Sequence, residues 1–203
     1  MKLYLRMLLA LVTLGVSVSG FAFGVERFVE NVHYQRVPDA EPIPGNVMEF
    51  FSFGCPHCAH LEPAVEQWLQ RKPAAVTFTR VPATWNPRFE FFGRIYYTLE
   101  ALGVADAHMQ AMFDYIHKLN KPLRTRDDAA AFAESRGIDQ AGFVKAWDSE
   151  AVNAKVAAAM PLLARYQVRG VPAFVVNGVY MTSVSMAGSE AELFDVIDFL
   201  LSR

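Results

Sequence analysis

Two cysteines separated by two residues form the part of this sequence best suited to chemistry. Cys55 and Cys58 are the only cysteines among the 203 residues, and they flank Pro56 and His57. A disulfide across so short a loop removes little entropy from the unfolded chain, so it would add little stability to a domain of this size. The spacing therefore favours thiol–disulfide exchange over a structural crosslink.

The residues around the pair predict a strand followed by a helix. The apolar and aromatic segment 45–53 (GNVMEFFSF) is typical of a buried strand. Pro56 suits the first position of a helix, where no backbone N–H is needed, so Cys55 is predicted at the N-cap. There the N–H groups of His57 and Cys58, with the positive end of the helix dipole, should lower the pKa of Cys55. Cys58, one turn inside the helix, should be the more buried and more protonated sulfur.

Two further side chains near the pair could take part in its chemistry. His57 would add a donor or a positive charge beside the Cys55 sulfur, and the alternative is an ordinary exposed loop histidine. Glu49 lies between Val47 and Phe51 on one face of the predicted strand, where a carboxylate is unfavourable unless it is protonated, paired or functional. The alternative for Glu49 is a carboxylate merely tolerated at a strand edge.

The rest of the chain predicts an α/β protein whose mixed sheet is interrupted by helices. Residues 75–81 alternate as a strand does, and residues 86–165 have helical periodicity. Strand signals return at 173–176, and Asn177-Gly178 predicts a tight hairpin turn into the strand 179–184. An inserted all-helical domain is therefore expected between two halves of one sheet.

The ends of the chain complete this division. Ser189 and Glu192 have the spacing of a capping box at the start of a last helix. Near the N-terminus Lys2 and Arg6 precede an apolar run and then Gly20-Phe21-Ala22, which is the layout of a secretory signal peptide. The alternative is a membrane anchor, but the run is shorter than the ~20 residues that a bilayer needs. The predicted parts are a signal peptide at 1–22, a sheet domain at 23–85 and 166–203, and the helical insertion at 86–165.

Composition limits the classes of function. The chain is 53% hydrophobic, which is enough for a packed core and excludes overall disorder. Its 19 basic and 21 acidic residues nearly cancel, and the basic residues are scattered along the sequence, so no nucleic-acid partner is expected.

The run 50–58 (FFSFGCPHC) resembles the active-site segment of the DsbA family of periplasmic disulfide oxidases, and Gly170-Val171-Pro172 resembles the family's valine and cis-proline. The resemblance covers almost the whole chain beyond the predicted signal peptide, and it implies a thioredoxin-like mixed sheet with an inserted helical domain. It also implies that Cys55 is the attacked and attacking sulfur and Cys58 the resolving one.

The same resemblance implies roles for three residues outside the cysteine run. Pro172 would shape a substrate groove beside the pair, and Val171 would flank it; the alternative is a proline that merely opens a strand. Because the family places an acidic residue similarly, Glu49 is expected to help proton transfer to or from Cys58. Gly54 departs from the family pattern, which has an aromatic residue there, and this difference predicts a wider groove.

Function follows from the resemblance as an expectation. The chain would donate its disulfide to unfolded exported polypeptides in the periplasm, after cleavage of the signal peptide near Ala22. A DsbB-like, quinone-linked membrane protein would then reoxidise it. No bound cofactor or metal and a monomeric state are expected.

Three alternatives remain open. A related exported enzyme could work as a disulfide reductase or isomerase, although dimeric isomerases carry an N-terminal dimerisation domain and only residues 23–44 precede the first predicted strand. A binding module could hold an inert Cys55–Cys58 bridge. A metal site could use these cysteines with His57 and His60.

Overall fold

A computed structural model describes residues 26–121 and 123–203. The predicted signal peptide and its cleavage near Ala22 lie outside the described residues. None of the described helices is long and apolar enough to cross a membrane.

One mixed sheet of five strands forms the centre of the described fold, in the order β1-β5-β4-β2-β3. The interior strand β2 pairs parallel with β3 and antiparallel with the central strand β4, and β4 continues antiparallel into β5 and β1. The predicted mixed sheet is therefore confirmed. The strands are β1 (Gln35–Arg36), β2 (Asn46–Phe51), β3 (Thr77–Pro82), β4 (Ala173–Val176) and β5 (Tyr180–Thr182).

Eight described helices surround the sheet, and five of them follow one another between β3 and β4, as the predicted helical insertion requires. The helices are α1 (Pro56–Arg71), α2 (Pro87–Ala101), α3 (Ala105–His117), α4 (Arg126–Ser135), α5 (Gln140–Trp147), α6 (Glu150–Arg165), α7 (Val184–Ala187) and α8 (Glu190–Leu201).

The sheet separates two buried apolar clusters because alternate residues of a strand point to opposite faces. Phe174 and Val176 of β4 pack with α1 and α8. Ala173 and Val175 of the same strand pack with the inserted helices α2 to α6. The insertion therefore shares a core with one face of the sheet.

Side-chain caps and turn residues fix several of the element ends. Thr125 and Asp128 form a complete capping box at the start of α4. Asn177 and Gly178 have positive φ values of 51° and 71°, which a tight turn of this hairpin needs, so the predicted hairpin is confirmed. Ser189 caps α8, but the Glu192 side chain binds Arg27 instead of completing a capping box.

Some predicted bounds differ from the structure by a few residues, and two short elements are not predicted. The first strand is predicted to continue to residue 53, but β2 ends at Phe51. The chain turns there, since the Cys55 N–H donates to the Ser52 carbonyl at 3.0 Å. The two-residue strand β1 was not predicted, because two residues cannot show a periodic pattern. The short helix α7 was not predicted either, because Val184 was assigned to the preceding strand.

Candidate active site

Cys55 caps the helix that carries the second cysteine. Its backbone is extended, with φ −94° and ψ 114°, and Pro56 is the first helical residue. The Cys58 N–H donates to the Cys55 Sγ at 3.3 Å. The predicted N-cap position of Cys55 is confirmed, and it places the sulfur where backbone donors have no partner within the helix.

The pKa values of the two thiols are shifted in opposite directions because their surroundings differ. A hydrogen bond from the Cys58 side chain, the N–H groups of Cys58 and His57, and the charge of His57 lower the pKa of Cys55 to about 6, against the opposing effect of burial. Burial is the largest of the effects that raise the pKa of Cys58, which is 1% exposed against 8% for Cys55. Both cysteines are free thiols, so the structure describes the reduced pair.

A loop from another part of the chain meets the first sulfur. The Val171–Pro172 peptide bond is cis, as the resemblance implies. The Cys55 thiol donates to the Val171 carbonyl at 3.4 Å, so Val171 and Pro172 lie directly beside the sulfur.

A groove of about 750 Å³ opens beside this loop. Residues 169–173 and 181–186 line it, together with the exposed residues His57 and His60. Val171, Pro172 and Met181 give it an apolar part, whereas Arg169 and Glu190 are charged. The predicted site residues Pro172, Val171 and His57 therefore come together at one cavity next to Cys55.

Gly54 does not widen this groove, so that prediction is wrong. A Cβ at Gly54 would lie 2.4 Å from Cε2 of Phe92, far inside van der Waals contact. The Phe92 ring, which comes from α2 and is buried, occupies the space that a larger residue at position 54 would need. The glycine is therefore a site of close packing between the active-site loop and the helical insertion.

Glu49 lies in the interior strand β2 and is buried, so the interpretation as a strand-edge carboxylate is wrong. Its Oε2 accepts a hydrogen bond from the Arg80 Nε at 3.0 Å. The Arg80 Nη2 donates at 2.7 Å to Glu62, which lies one turn after Cys58 in α1. All three side chains are buried.

Glu62 and Arg80 were missed by the sequence analysis. The sequence does place two opposite charges, Glu49 and Arg80, within two predicted strands. The structure shows that they are register partners in the parallel pair β2 and β3. Glu62 interrupts an apolar stripe that includes Leu61 and Val65.

This buried cluster holds two carboxyl groups and one guanidinium. Burial raises the pKa of Glu49, and burial together with the Glu49 charge raises the pKa of Glu62 to about 8. The Glu62 Oε2 is buried and has no hydrogen-bond partner among the described residues. The arrangement can therefore keep one proton on the carboxyl pair near neutral pH.

The helical insertion also contacts the loop before Cys55. The His117 Nε2, at the end of α3, lies 2.8 Å from the Phe53 carbonyl. Since a carbonyl only accepts, Nε2 must donate this hydrogen bond. Sequence analysis missed His117, because 64 residues separate it from Phe53.

A metal site formed by cysteines and histidines was one of the alternatives. Within residues 26–121 and 123–203, no three His, Cys, Asp or Glu side chains are grouped as a metal ion would require.

Comparisons of the sequence and of the structure with known proteins find the same family. The family described as DSBA-like thioredoxin domain matches residues 76–194. The thiol:disulfide interchange protein DsbA of Azotobacter vinelandii is 39% identical over 168 residues, which cover 83% of this chain and 78% of the relative. DsbA of Pseudomonas aeruginosa is 34% identical over 92% of this chain and 90% of its own. The crystal structure of Pseudomonas aeruginosa DsbA superposes with a TM-score of 0.82, covering 86% of this chain and 93% of that one.

Proposed function

The chain belongs to the DsbA family of thiol:disulfide oxidoreductases, and on this premise we propose that it donates a Cys55–Cys58 disulfide to unfolded exported polypeptides. The observation that carries the proposal is the asymmetry of the two sulfurs. Cys55 has a pKa lowered to about 6 at the start of α1, whereas burial raises the pKa of Cys58. Such a pair favours the reduced enzyme and hence transfer of the disulfide to a substrate.

The first step is attack by a substrate thiolate on Cys55 of the oxidised enzyme. A mixed disulfide forms between the substrate sulfur and Cys55, and the Cys55–Cys58 bond breaks, so Cys58 leaves with the electron pair. Because the Cys58 thiolate is buried, it needs a proton as it leaves. We assign that proton to the carboxyl pair of Glu49 and Glu62, which is supported by the placement of Glu62 one helical turn from Cys58.

The second step releases the product. A second substrate thiolate attacks the substrate sulfur of the mixed disulfide, and Cys55 leaves as a thiolate. Two substrate thiols have then become one disulfide, and the enzyme has gained two electrons and one proton at Cys58. The carboxyl pair regains its proton from solvent. A low thiol pKa makes Cys55 a good leaving group in this step.

The direction of exchange depends on the Cys55 pKa. Each unit by which this pKa lies below the working pH stabilises the reduced enzyme by ~1.4 kcal/mol, which corresponds to roughly 30 mV in reduction potential. The pKa of about 6 is below the ordinary value of 9.0. The sign is therefore that of an oxidant: the advantage is present above pH 6 and disappears as the pH falls through 6.

The groove beside Pro172 would bind the substrate chain. Support comes from its position next to Cys55 and from its partly apolar lining, which suits unfolded segments that expose apolar side chains. We also propose that His57 assists through its charge beside the Cys55 sulfur.

The cellular setting is part of the same proposal. The predicted signal peptide would direct the chain to the periplasm, where it would work as a monomer. A DsbB-like membrane protein would accept two electrons from Cys55 and Cys58 and so regenerate the disulfide. The competing possibility within this family's chemistry is a reductase or isomerase.

Equilibration with glutathione buffers tests the direction. The fraction of oxidised Cys55 and Cys58 is measured at pH 7 against the ratio of reduced to oxidised glutathione, and a His57→Ala variant serves as comparison. A reduction potential above that of the glutathione couple supports the oxidase. A potential near those of cytosolic reductants would overturn it in favour of the reductase.

A further inference from the structure

The loop that follows α3, together with the start of α2, carries an unusual concentration of positive charge. The segment 118–126 (KLNKPLRTR) contains lysine and arginine but no acidic residue, in a chain whose formal net charge is −2. In the sequence the basic residues look scattered, but the fold brings Arg88 of α2 to this segment. The Arg88 Nη1 donates to the Leu123 carbonyl at 2.5 Å, directly before Arg124.

This basic surface lies close to the reactive cysteine. The Arg88 guanidinium lies over the Phe92 ring, 4.2 Å from its centroid. The same ring packs against Gly54, the residue next to Cys55. A single aromatic ring therefore separates the Arg88 charge from the active-site loop.

The positive charges are not neutralised within the protein. Arg88, Lys121 and Arg124 are exposed. In the described part of the chain none of them is in an ion pair, whereas the flanking Lys118 pairs with Asp114 and Arg126 with Asp148. Burial and then the charge of Arg124 lower the pKa of Arg88, which is consistent with two neighbouring cations.

Asp127 and Asp128 directly follow this segment, and both charges are already engaged. The Asp127 Oδ1 lies 3.6 Å from the Arg126 Nε, whereas Asp128 binds backbone groups. Its Oδ2 accepts from the N–H groups of Arg124 and Thr125 at 2.8 and 2.9 Å, as part of the cap of α4. The three cations thus remain available to a ligand from outside.

We propose that Arg88, Lys121 and Arg124 form a cationic docking surface for acidic segments of the polypeptides that react at Cys55. This inference rests on the proposed function and specifies a substrate class for the same site. The Phe92 ring contacts both Arg88 and the loop that carries Cys55, so a chain bound at Cys55 that extends over this loop would approach the cationic surface. Acidic residues next to the substrate cysteine would meet complementary charge there, which raises the association rate of a ligand of opposite charge.

Two reduced peptides provide the test. They share one sequence with two cysteines and differ only beside the first cysteine, with Asp-Glu-Asp in one and Asn-Gln-Asn in the other. The rate constant of disulfide transfer is measured for each at low ionic strength and in sodium chloride at ~0.5 M. We expect the acidic peptide to react about fivefold faster at low ionic strength, and the preference to disappear in high salt.

Variants locate the effect. Combining Arg88→Gln with Arg124→Gln should reduce the preference to about onefold, because the charges that attract the peptide are removed. Arg88→Lys keeps the charge and should keep the preference, which controls for lost packing on Phe92. Lys145→Gln removes an exposed cation elsewhere on the insertion, on α5, and should leave the preference unchanged.

The outcomes separate this inference from the proposed function. If the neutral peptide is oxidised but wild type and the double variant show equal preference, the docking surface is refuted and the oxidase stands. If neither peptide is oxidised, binding of the acidic peptide with serines in place of cysteines, followed by fluorescence anisotropy, decides the surface alone. Binding to vesicles of anionic phosphatidylglycerol that requires Arg88 and Arg124, without a peptide preference, would assign the surface to a membrane and overturn the proposal.

Discussion

The two sulfurs of the site are controlled by different kinds of structure. Around Cys55 the determinants are local: the Cys58 thiol, two backbone N–H groups at a helix start and a neighbouring histidine, all within three residues. Behind Cys58 the determinants come from β2, β3 and α1, which place Glu49, Arg80 and Glu62 together in the core. The comparison teaches that the acidity of Cys55 depends on groups within one helical turn, whereas the proposed proton supply to Cys58 depends on tertiary packing.

Removal of the buried Arg80 cation should have the largest effect on the region around Cys58. In Arg80→Met two carboxyl groups lose their shared partner, and we expect the free energy of unfolding to fall by about 3–5 kcal/mol. Urea titration followed by circular dichroism measures it. The matched control is Arg71→Met, because Arg71 pairs with Asp198 at the surface and should contribute less than about 1 kcal/mol.

The loss of free energy of unfolding in Arg80→Met should also depend on pH. Because the pKa of Glu62 is raised to about 8, its protonated form stabilises the fold, and this contribution is lost as the pH rises from 4.5 to 8. Without Arg80 the ionised form is opposed further, so the deficit should be greater at pH 8 than at pH 5. An equal deficit at both pH values would contradict the shared-proton interpretation.

Substitution of the buried acid tests the proton supply directly. Glu49→Gln should slow the reduction of the Cys55–Cys58 disulfide by a substrate peptide by about a hundredfold, within the range for general acid–base catalysis. Stopped-flow tryptophan fluorescence can follow the reaction from pH 5 to 9. Glu134→Gln, at an exposed position in α4, is the control. Unchanged kinetics and an unchanged pH profile in Glu49→Gln would remove Glu49 from the mechanism.

The packing at Gly54 gives a smaller expected effect. Gly54→Ala places a methyl group against Phe92, and we expect destabilisation by about 1–3 kcal/mol through overpacking. Thermal unfolding compares Gly54→Ala with Gly103→Ala; no atom lies within 4 Å of a Cβ at Gly103, but its φ is positive. Adding Phe92→Leu to Gly54→Ala should recover part of the loss. If the second substitution makes the protein less stable by its full separate amount, the two sites do not interact.

The smallest predicted change concerns His57. Its charge is the last of the effects that lower the pKa of Cys55, after the hydrogen bonds from Cys58 and from the backbone. His57→Ala should therefore raise this pKa by less than about one unit, since a charge at an exposed position is screened by water. Thiolate absorbance at 240 nm, recorded against pH, measures the midpoint. A larger rise would make the histidine, and not the helix start, the main determinant.

The difference between the two regions also explains what the sequence could predict. Pro56 after Cys55 was enough to predict the N-cap, because a helix start is encoded within a few residues. Asn177-Gly178 predicted the hairpin for the same reason. By contrast, the Glu49–Arg80 pair depends on strand register, and the contact of Gly54 with Phe92 joins residues far apart in the sequence. Periodicity carries no information on such contacts.

Arg80 also bears on how the edge of the sheet formed by β3 interacts with other chains. β3 is an outer strand, and the outer strand of a sheet is where an extended chain could pair with backbone groups. A charged residue that points inward and a proline at the last position, Pro82, both disfavour an added strand there. At the opposite border β1 has only two residues. A protein proposed to meet unfolded polypeptides continually is thus protected from seeding their aggregation along its own sheet.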